Sequence, residues 1–158
     1  MQFKNLTLTE FSFKNTEHYH LINRLEKTEG VKYISSHLSD FVEESVPNKK
    51  IIPGNTYVIS NTSNDLVGLV GLKELDREGN LEMWFILSEY YRGKHYASKI
   101  VGMLVPYLVE NTQGLNDVKL VIEKNNQASQ RVALANGFHE VEKDENKKIY
   151  YYFKRWAK

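Results

Sequence analysis

Residues 81–104, LEMWFILSEYYRGKHYASKIVGML, hold the side chains whose types and spacing best suit a chemical task. A strongly apolar run over 81–87 passes into a short loop containing Gly93, and a helical pattern starts directly after it. A strand–loop–helix turn of this kind offers unpaired backbone N–H groups at the helix start. Those amides and the positive end of the helix dipole attract an anion, and a pyrophosphate suits them. Phosphates approach a backbone closely only past small residues. Gly93, Ala97 and Ser98 supply these, and Arg92 and Lys94 add positive charge beside them. The competing reading is a plain strand-to-helix connection, because one glycine loop is a weak signal on its own.

The elements that must position this segment follow from periodicity. Residues 3–13 alternate and predict a first strand. Asn15 or Thr16 caps a helix whose residues Tyr19, Leu21, Ile22 and Leu25 share a face, ending near Gly30. Residues 31–45 put Val31, Ile34, His37 or Leu38, Phe41 and Val42 on one face and predict a second helix, stopped by Pro47. The period then becomes that of strands. Residues 56–60 and 66–75 form a hairpin across a turn at 61–65, and 81–87 form a third strand after a turn at 76–80. A helix over 94–111 turns Ile100, Val101, Leu104, Val105 and Leu108 inward. Pro106 removes the amide that would bond the Gly102 carbonyl, which predicts a kink. Residues 118–124 form a buried strand, and 127–136 a helix closed by Asn136-Gly137. Two strands near 138–143 and 148–154 end the pattern. The order β, α, α, βββ, α, β, α, ββ predicts a single α/β domain over 1–158, with a mixed sheet of about seven strands and about four helices on its faces.

Composition narrows the function. The chain of 158 residues is long enough for one core. It has no apolar run of spanning length and no basic-then-apolar leader at its start, so a soluble cytoplasmic protein with no membrane partner is expected. It has no cysteine, which removes thiolate metal sites and a cysteine nucleophile. With 21 basic and 20 acidic residues, bulk charge gives no support to nucleic acid as a partner. His18, His20, His37 and His139 lack metal-ligand spacing, and no metal is predicted. Tyr90, Tyr91, Tyr150 and Tyr151 lie in strand-like or turn-like runs, and sheet packing is expected for most tyrosines rather than a base-stacking surface.

The loop resembles the R/Q-x-x-G-x-G/A signature with which the GCN5-related N-acetyltransferase (GNAT) family grips the CoA pyrophosphate. The matching run is Arg92-Gly93-Lys94-His95-Tyr96-Ala97, with His95 standing where the family has glycine. A second segment, 126–138, resembles the family's N-x-x-S-x-x-V-x-x-x-x-G-F, with Asn126, Ser129, Val132, Gly137 and Phe138 in register. The resemblance covers residues 55–155 well and the earlier chain weakly. The Asn-x-x-Ser pattern looks most like the branch that modifies N-termini of ribosomal proteins.

The resemblance implies a mostly antiparallel sheet splayed in the middle, the acyl-CoA N-acyltransferase fold. Strands 81–87 and 118–124 would part and admit the pantetheine arm of acetyl-CoA, the co-substrate. Backbone groups of Ile86 and Leu87 would meet that arm, and an amide there would hold the acetyl oxygen. Arg92, Gly93, Lys94, His95, Tyr96, Ala97 and Ser98 would form the pyrophosphate loop. Asn126 would bind the arm through its carboxamide or cap the helix that follows. The implied activity is direct transfer of acetyl to a primary amine, a protein N-terminus or a small molecule, within a ternary complex. The alternative is a non-catalytic CoA-binding module.

An attacking amine must be neutral, and a free lysine amine has a pKa of ~10.4, so a base helps. Glu82 on the splayed strand is the first candidate and Glu123 on the opposite strand the second. Each can instead be a solvated carboxylate paired with a lysine. Relatives carry a tyrosine as acid where this chain has Ala133. Ser129 is then the candidate donor to the sulfur, or else a helix residue that only touches CoA. The acceptor would meet the first two helices, the loop 45–55 and the last hairpin, in a monomer or homodimer.

Overall fold

The computed structural model describes residues 2–3, 5–27, 38–47 and 50–153. The strands are β1 (Gln2–Phe3), β2 (Leu6–Glu10), β3 (Thr56–Asn61), β4 (Leu66–Leu72), β5 (Asn80–Leu87), β6 (Asp117–Glu123), β7 (His139–Lys143) and β8 (Lys147–Phe153). The helices are α1 (Thr16–Glu26), the single turn α2 (Leu38–Phe41), α3 (Tyr96–Asn111) and α4 (Gln127–Ala135). Among the described residues the strands form one eight-stranded sheet in the order β1-β2-β3-β4-β5-β6-β8-β7. Every pairing is antiparallel except β5 with β6.

The strand beyond the expected seven comes from the first segment. Residues 3–13 are not one strand, because Asn5 takes a left-handed φ of 69° and folds Gln2–Phe3 back on Leu6–Thr7. Asparagine tolerates that region better than most residues.

Asn15 caps α1, its side-chain oxygen accepting the N–H groups of Glu17 at 3.0 Å and His18 at 3.2 Å. The buried stripe is His18, Leu21, Ile22 and Leu25. His18 therefore takes the inward place expected of Tyr19, which is half exposed. The spacing 18, 21, 22, 25 is the helical one and accounts for the swap. The expected helix end near Gly30, and Val31, Ile34 and His37 of the expected second helix, lie outside the described residues. That helix does not reach Pro47. From Val42 onward the chain leaves the helix and is stitched to the sheet: Ser45 N–H donates to the Phe11 carbonyl at 3.2 Å, and Thr56 N–H donates to Ser45 Oγ at 2.8 Å.

His18 gives a pH-dependent contribution. It is buried at 6% exposure and stacked on Phe11, and its Nδ1 accepts the Ser12 N–H at 3.2 Å. Burial pushes its pKa below the ordinary histidine value of about 6.5, outweighing the nearby Glu17 and Glu44, which raise it. The neutral ring is thus favoured in the folded state, and the unfolded chain takes the proton first as pH falls. Stability is full above about pH 6.5 and declines below it, levelling once the folded-state value is passed. The thermal midpoint of wild type should drop through this window more than that of His18→Gln.

Period-2 alternation sorts the core onto two faces of the sheet. Leu81, Met83 and Leu87 of β5 pack with α3, whose five expected residues Ile100, Val101, Leu104, Val105 and Leu108 are all buried. Ile86 packs on the other face with Leu69, Val58, α1 and α2. Helix α3 continues past Pro106 to Asn111. Of the four tyrosines in strand-like or turn-like runs, Tyr150 is buried at 1% exposure, whereas Tyr90 is 72% exposed because it sits on a 3₁₀ turn, Glu89–Tyr91, outside the sheet.

Gly71 lies opposite Trp84 across the β4–β5 ladder, and a Cβ there would fall 2.0 Å from the indole ring. The indole covers the glycine and meets Phe41 edge-on at 4.9 Å. Gly71→Val should displace the indole and cost about 2–3 kcal/mol, read as a lowered thermal midpoint.

Candidate active site

Strands β5 and β6 are partnered only at Asn80↔Asp117, Leu81↔Val118 and Glu82↔Lys119. Past Glu82 they part: β5 stays on β4 up to Leu87, and β6 stays on β8 along its whole length. The sheet opens as a V at its parallel centre. On the β6 side, the backbone of β5 beyond Glu82 has no ladder partner.

A cavity of about 490 Å³ lies between the end of β5 and α4 and runs to the start of α3. Strand β5 lines it with Ile86 and Leu87, and the following loop with Arg92, Gly93 and His95. The first turn of α3 adds Tyr96, Ala97 and Ser98, and α4 adds Asn126 at its cap and Ser129. Lys94 is the exception among the expected loop residues. It does not line this cavity, and its ammonium sits 3.7 Å from the centre of the Tyr90 ring.

The loop shows why its residues are what they are. Gly93 has a φ of 72°, and a Cβ there would touch nothing within 4 Å, so glycine is required by conformation and not by space. His95 has a φ of 65° and is the N-cap of α3. The position where the pattern has glycine is thus a left-handed one, and histidine is among the residues that tolerate it. No side chain caps α3, so its first amides keep no side-chain acceptor. An uncapped helix start on a glycine loop fits a pyrophosphate. Asn136 fixes this turn against α4: its Nδ2 donates to Ser98 Oγ at 3.1 Å and to the Val132 carbonyl at 2.9 Å.

A smaller cavity of about 160 Å³ lies beside the first. Phe41, Lys73, Glu82, Trp84, Glu123 and Lys147 line it, and it shares Phe85, Asn126 and Ser129 with the larger one. Both candidate bases and the candidate acid are therefore brought around one junction. Glu82 contacts the Lys73 ammonium, and Lys73 N–H donates to the Glu82 carbonyl at 2.9 Å, extending the β4–β5 ladder by one step. The lysine-paired alternative for Glu82 thus holds in the free protein. The Lys73 ammonium also lies 5.6 Å from the centre of the Phe41 ring.

Asn126 does cap α4, its Oδ1 accepting the Ser129 N–H at 3.2 Å. Ala133 is fully buried in the core, so no acid comes from that position. Gln130 was not anticipated. Its buried amide donates to the carbonyls of Glu123 at 3.2 Å and Lys124 at 2.8 Å, and its Oε1 accepts from Lys148 Nζ at 3.3 Å. It ties the end of β6 to α4. Phe41, Lys73 and Trp84 were also missed as site residues, although the hairpin register alone sets Lys73 beside Glu82. No cluster of three or more metal-ligating side chains is found among the described residues. No described helix is long and apolar enough to cross a membrane.

A mixed sheet split at its parallel centre, with a glycine-loop helix start at the split, defines the acyl-CoA N-acyltransferase class. A family model described as an acetyltransferase (GNAT) domain matches residues 5–139, and the chain belongs to that family. By that membership it is an N-acetyltransferase. No curated protein matches the chain in sequence. Among solved structures it is similar to a GNAT-family acetyltransferase from Bacillus anthracis, at TM-score 0.78, 18% identity and 96% coverage of both chains. It is also similar to spermidine N-acetyltransferase from Vibrio cholerae in complex with CoA and spermine, at TM-score 0.70 and 19% identity over 96% of each chain. The N-acetyltransferase PseH of Campylobacter jejuni aligns at TM-score 0.66 and 14% identity, over 95% of this chain and 99% of that one. At these identities the likeness is one of fold.

Proposed function

We propose that the chain passes acetyl directly from acetyl-CoA to a slim primary amine that arrives as a cation in the smaller cavity. The observation that carries this reading is the junction itself: a carboxylate-lined cavity and a cleft suited to pantetheine share Phe85, Asn126 and Ser129. Two carboxylates and the rings of Phe41 and Trp84 suit an ammonium. Glu82 takes the proton, directly or through a water, and Glu123 is the second candidate. A free backbone N–H on the splayed edge of β5 holds the oxyanion, a contribution of about 3–4 kcal/mol in comparable sites. Ser129 gives a hydrogen bond to the departing sulfur. Arg92, Gly93, Ala97, Ser98 and the amide of His95 hold the pyrophosphate, while Ile86, Leu87 and Asn126 hold the arm.

The acceptor is the free N-terminus of a peptide or a small-molecule amine. The Asn126-x-x-Ser129 pattern supports the former, as in the ribosomal-protein branch, and the small cavity beside Glu82 supports the latter. The reaction as drawn needs one chain, in a monomer or a homodimer, and a cytoplasmic setting suits its co-substrate and its lack of cysteine.

The test is calorimetric titration with acetyl-CoA, with desulfo-CoA and adenosine diphosphate as comparisons, followed by thiol release with a panel of primary amines. Binding that needs both the pyrophosphate and the arm, with thiol release for at least one amine, supports the proposal. Absence of acetyl-CoA binding refutes it. Binding with no thiol release for any amine favours the non-catalytic module.

A further inference from the structure

The acceptor cavity already contains a primary amine. Lys73 follows directly on β4, and its backbone N–H is bonded to the Glu82 carbonyl, so its Cα is held beside the candidate base. Its ammonium rests against the Glu82 carboxylate and faces the Phe41 ring, which itself meets Trp84 edge-on. These are the groups that would receive the ammonium of an outside acceptor. The cavity they line joins the cleft at Phe85, Asn126 and Ser129. A lysine amine rides on a flexible four-carbon stem, so Nζ can leave Glu82 and swing towards Phe85 without moving the backbone.

We propose that Lys73 is itself an acceptor, acetylated in cis from acetyl-CoA bound in the cleft of the same chain. The inference rests on the acetyltransferase reading of that cleft. The ammonium of Lys73 gives one proton to Glu82, which passes it to water. The neutral amine then attacks the thioester carbonyl carbon. The C–N bond forms, the C–S bond breaks, and a second amine proton goes to the leaving sulfur. The products are Nε-acetyl-Lys73, free CoA thiol and one proton in water. The acetylated side chain carries no charge, so Glu82 loses its internal partner and faces an incoming cation unpaired.

Lys147 is the other amine on the cavity wall. Among the described residues its ammonium has no carboxylate contact, so it serves as an internal comparison, as does the exposed Lys143, which is paired with Glu140.

The experiment incubates the full chain with acetyl-CoA and no added amine, and follows intact mass and peptide maps over time. The expected result is a gain of one acetyl group, mapped to Lys73, at a first-order rate independent of protein concentration. Glu82→Gln should slow it about 100-fold. Lys73→Arg should abolish it while calorimetric affinity for acetyl-CoA stays at the wild-type value. Ala97→Leu, which obstructs the cleft, should slow it in step with lost affinity. The proposal is overturned if Lys73 stays unmodified in protein that binds acetyl-CoA. It is equally overturned if Lys73 reacts no faster than Lys143 or Lys147, if its rate scales with protein concentration, or if Ala97→Leu leaves the rate unchanged. Calorimetry separates this failure from failure of the parent reading: a chain that does not bind acetyl-CoA loses both.

Discussion

Glu82→Gln is expected to lower kcat for amine acetylation about 100-fold and to leave the Kd for acetyl-CoA unchanged. Glutamine keeps the shape of the side chain, so the cavity stays in form, but it cannot take a proton. The ion pair with Lys73 is lost as well. Lys73 is 51% exposed and Glu82 20% exposed, so that pair is screened and the thermal midpoint should barely move. Activity of the variant should climb as pH rises towards the amine's own pKa, because the neutral amine then forms without help. Glu123→Gln on the facing strand should cost much less. The reverse ranking would make Glu123 the base, and unchanged kcat in both variants would remove both assignments.

Ala97→Leu is expected to raise the Kd for acetyl-CoA about 100-fold, or about 2.8 kcal/mol at 1.4 kcal/mol per tenfold. Ala97 lies in the first turn of α3 and lines the larger cavity, where a phosphate would approach the uncapped amides. A leucine there puts extra carbons between anion and backbone. Ala97 is only partly buried at the edge of the core and also borders the cleft, so the thermal midpoint of the free protein should change little. Titration of the variant checks the affinity, and a thermal melt of the free protein checks the midpoint. An unchanged affinity would show that the loop does not hold the pyrophosphate.

Much of this architecture was legible because the central elements carry clean periods. The apolar strand runs of β5 and β6 and the inward stripe of α3 have one reading each, and the two motif segments fall at the two walls of the cleft. The errors lie where a single residue or a distant contact decides. Asn5 splits the first strand through one left-handed φ, which alternation does not register. The stretch after Phe41 leaves the helix because Ser45 bonds to Phe11 and Thr56, partners remote in sequence. His18 goes inward in place of Tyr19 because the stripe follows spacing and not hydropathy. At the site, the loop residues were readable from size and charge. Lys73 lies outside both motif segments and was passed over, although the hairpin register sets it beside Glu82. Lys94 shows the converse: its charge suggested a phosphate, and two neighbouring tyrosines hold it instead.

The split between β5 and β6 also bears on solubility. A strand edge with unused N–H and C=O groups is a template on which foreign chains can add, and proteins usually guard such edges at the outside of a sheet. Here two such edges face each other inside the sheet, joined at one end by only three residue pairs. The wedge closes towards that end, so a full peptide strand with side chains on both faces finds no room to enter along its length. A thinner diamide such as pantetheine, unbranched along its cysteamine and β-alanine units, does. On the proposed reading, the wedge that would admit the co-substrate therefore also disfavours the strand addition that an open edge invites. Once filled, it gives the two halves of the sheet a common backbone partner, so amide hydrogen exchange along β5 and β6 should slow together when CoA is added.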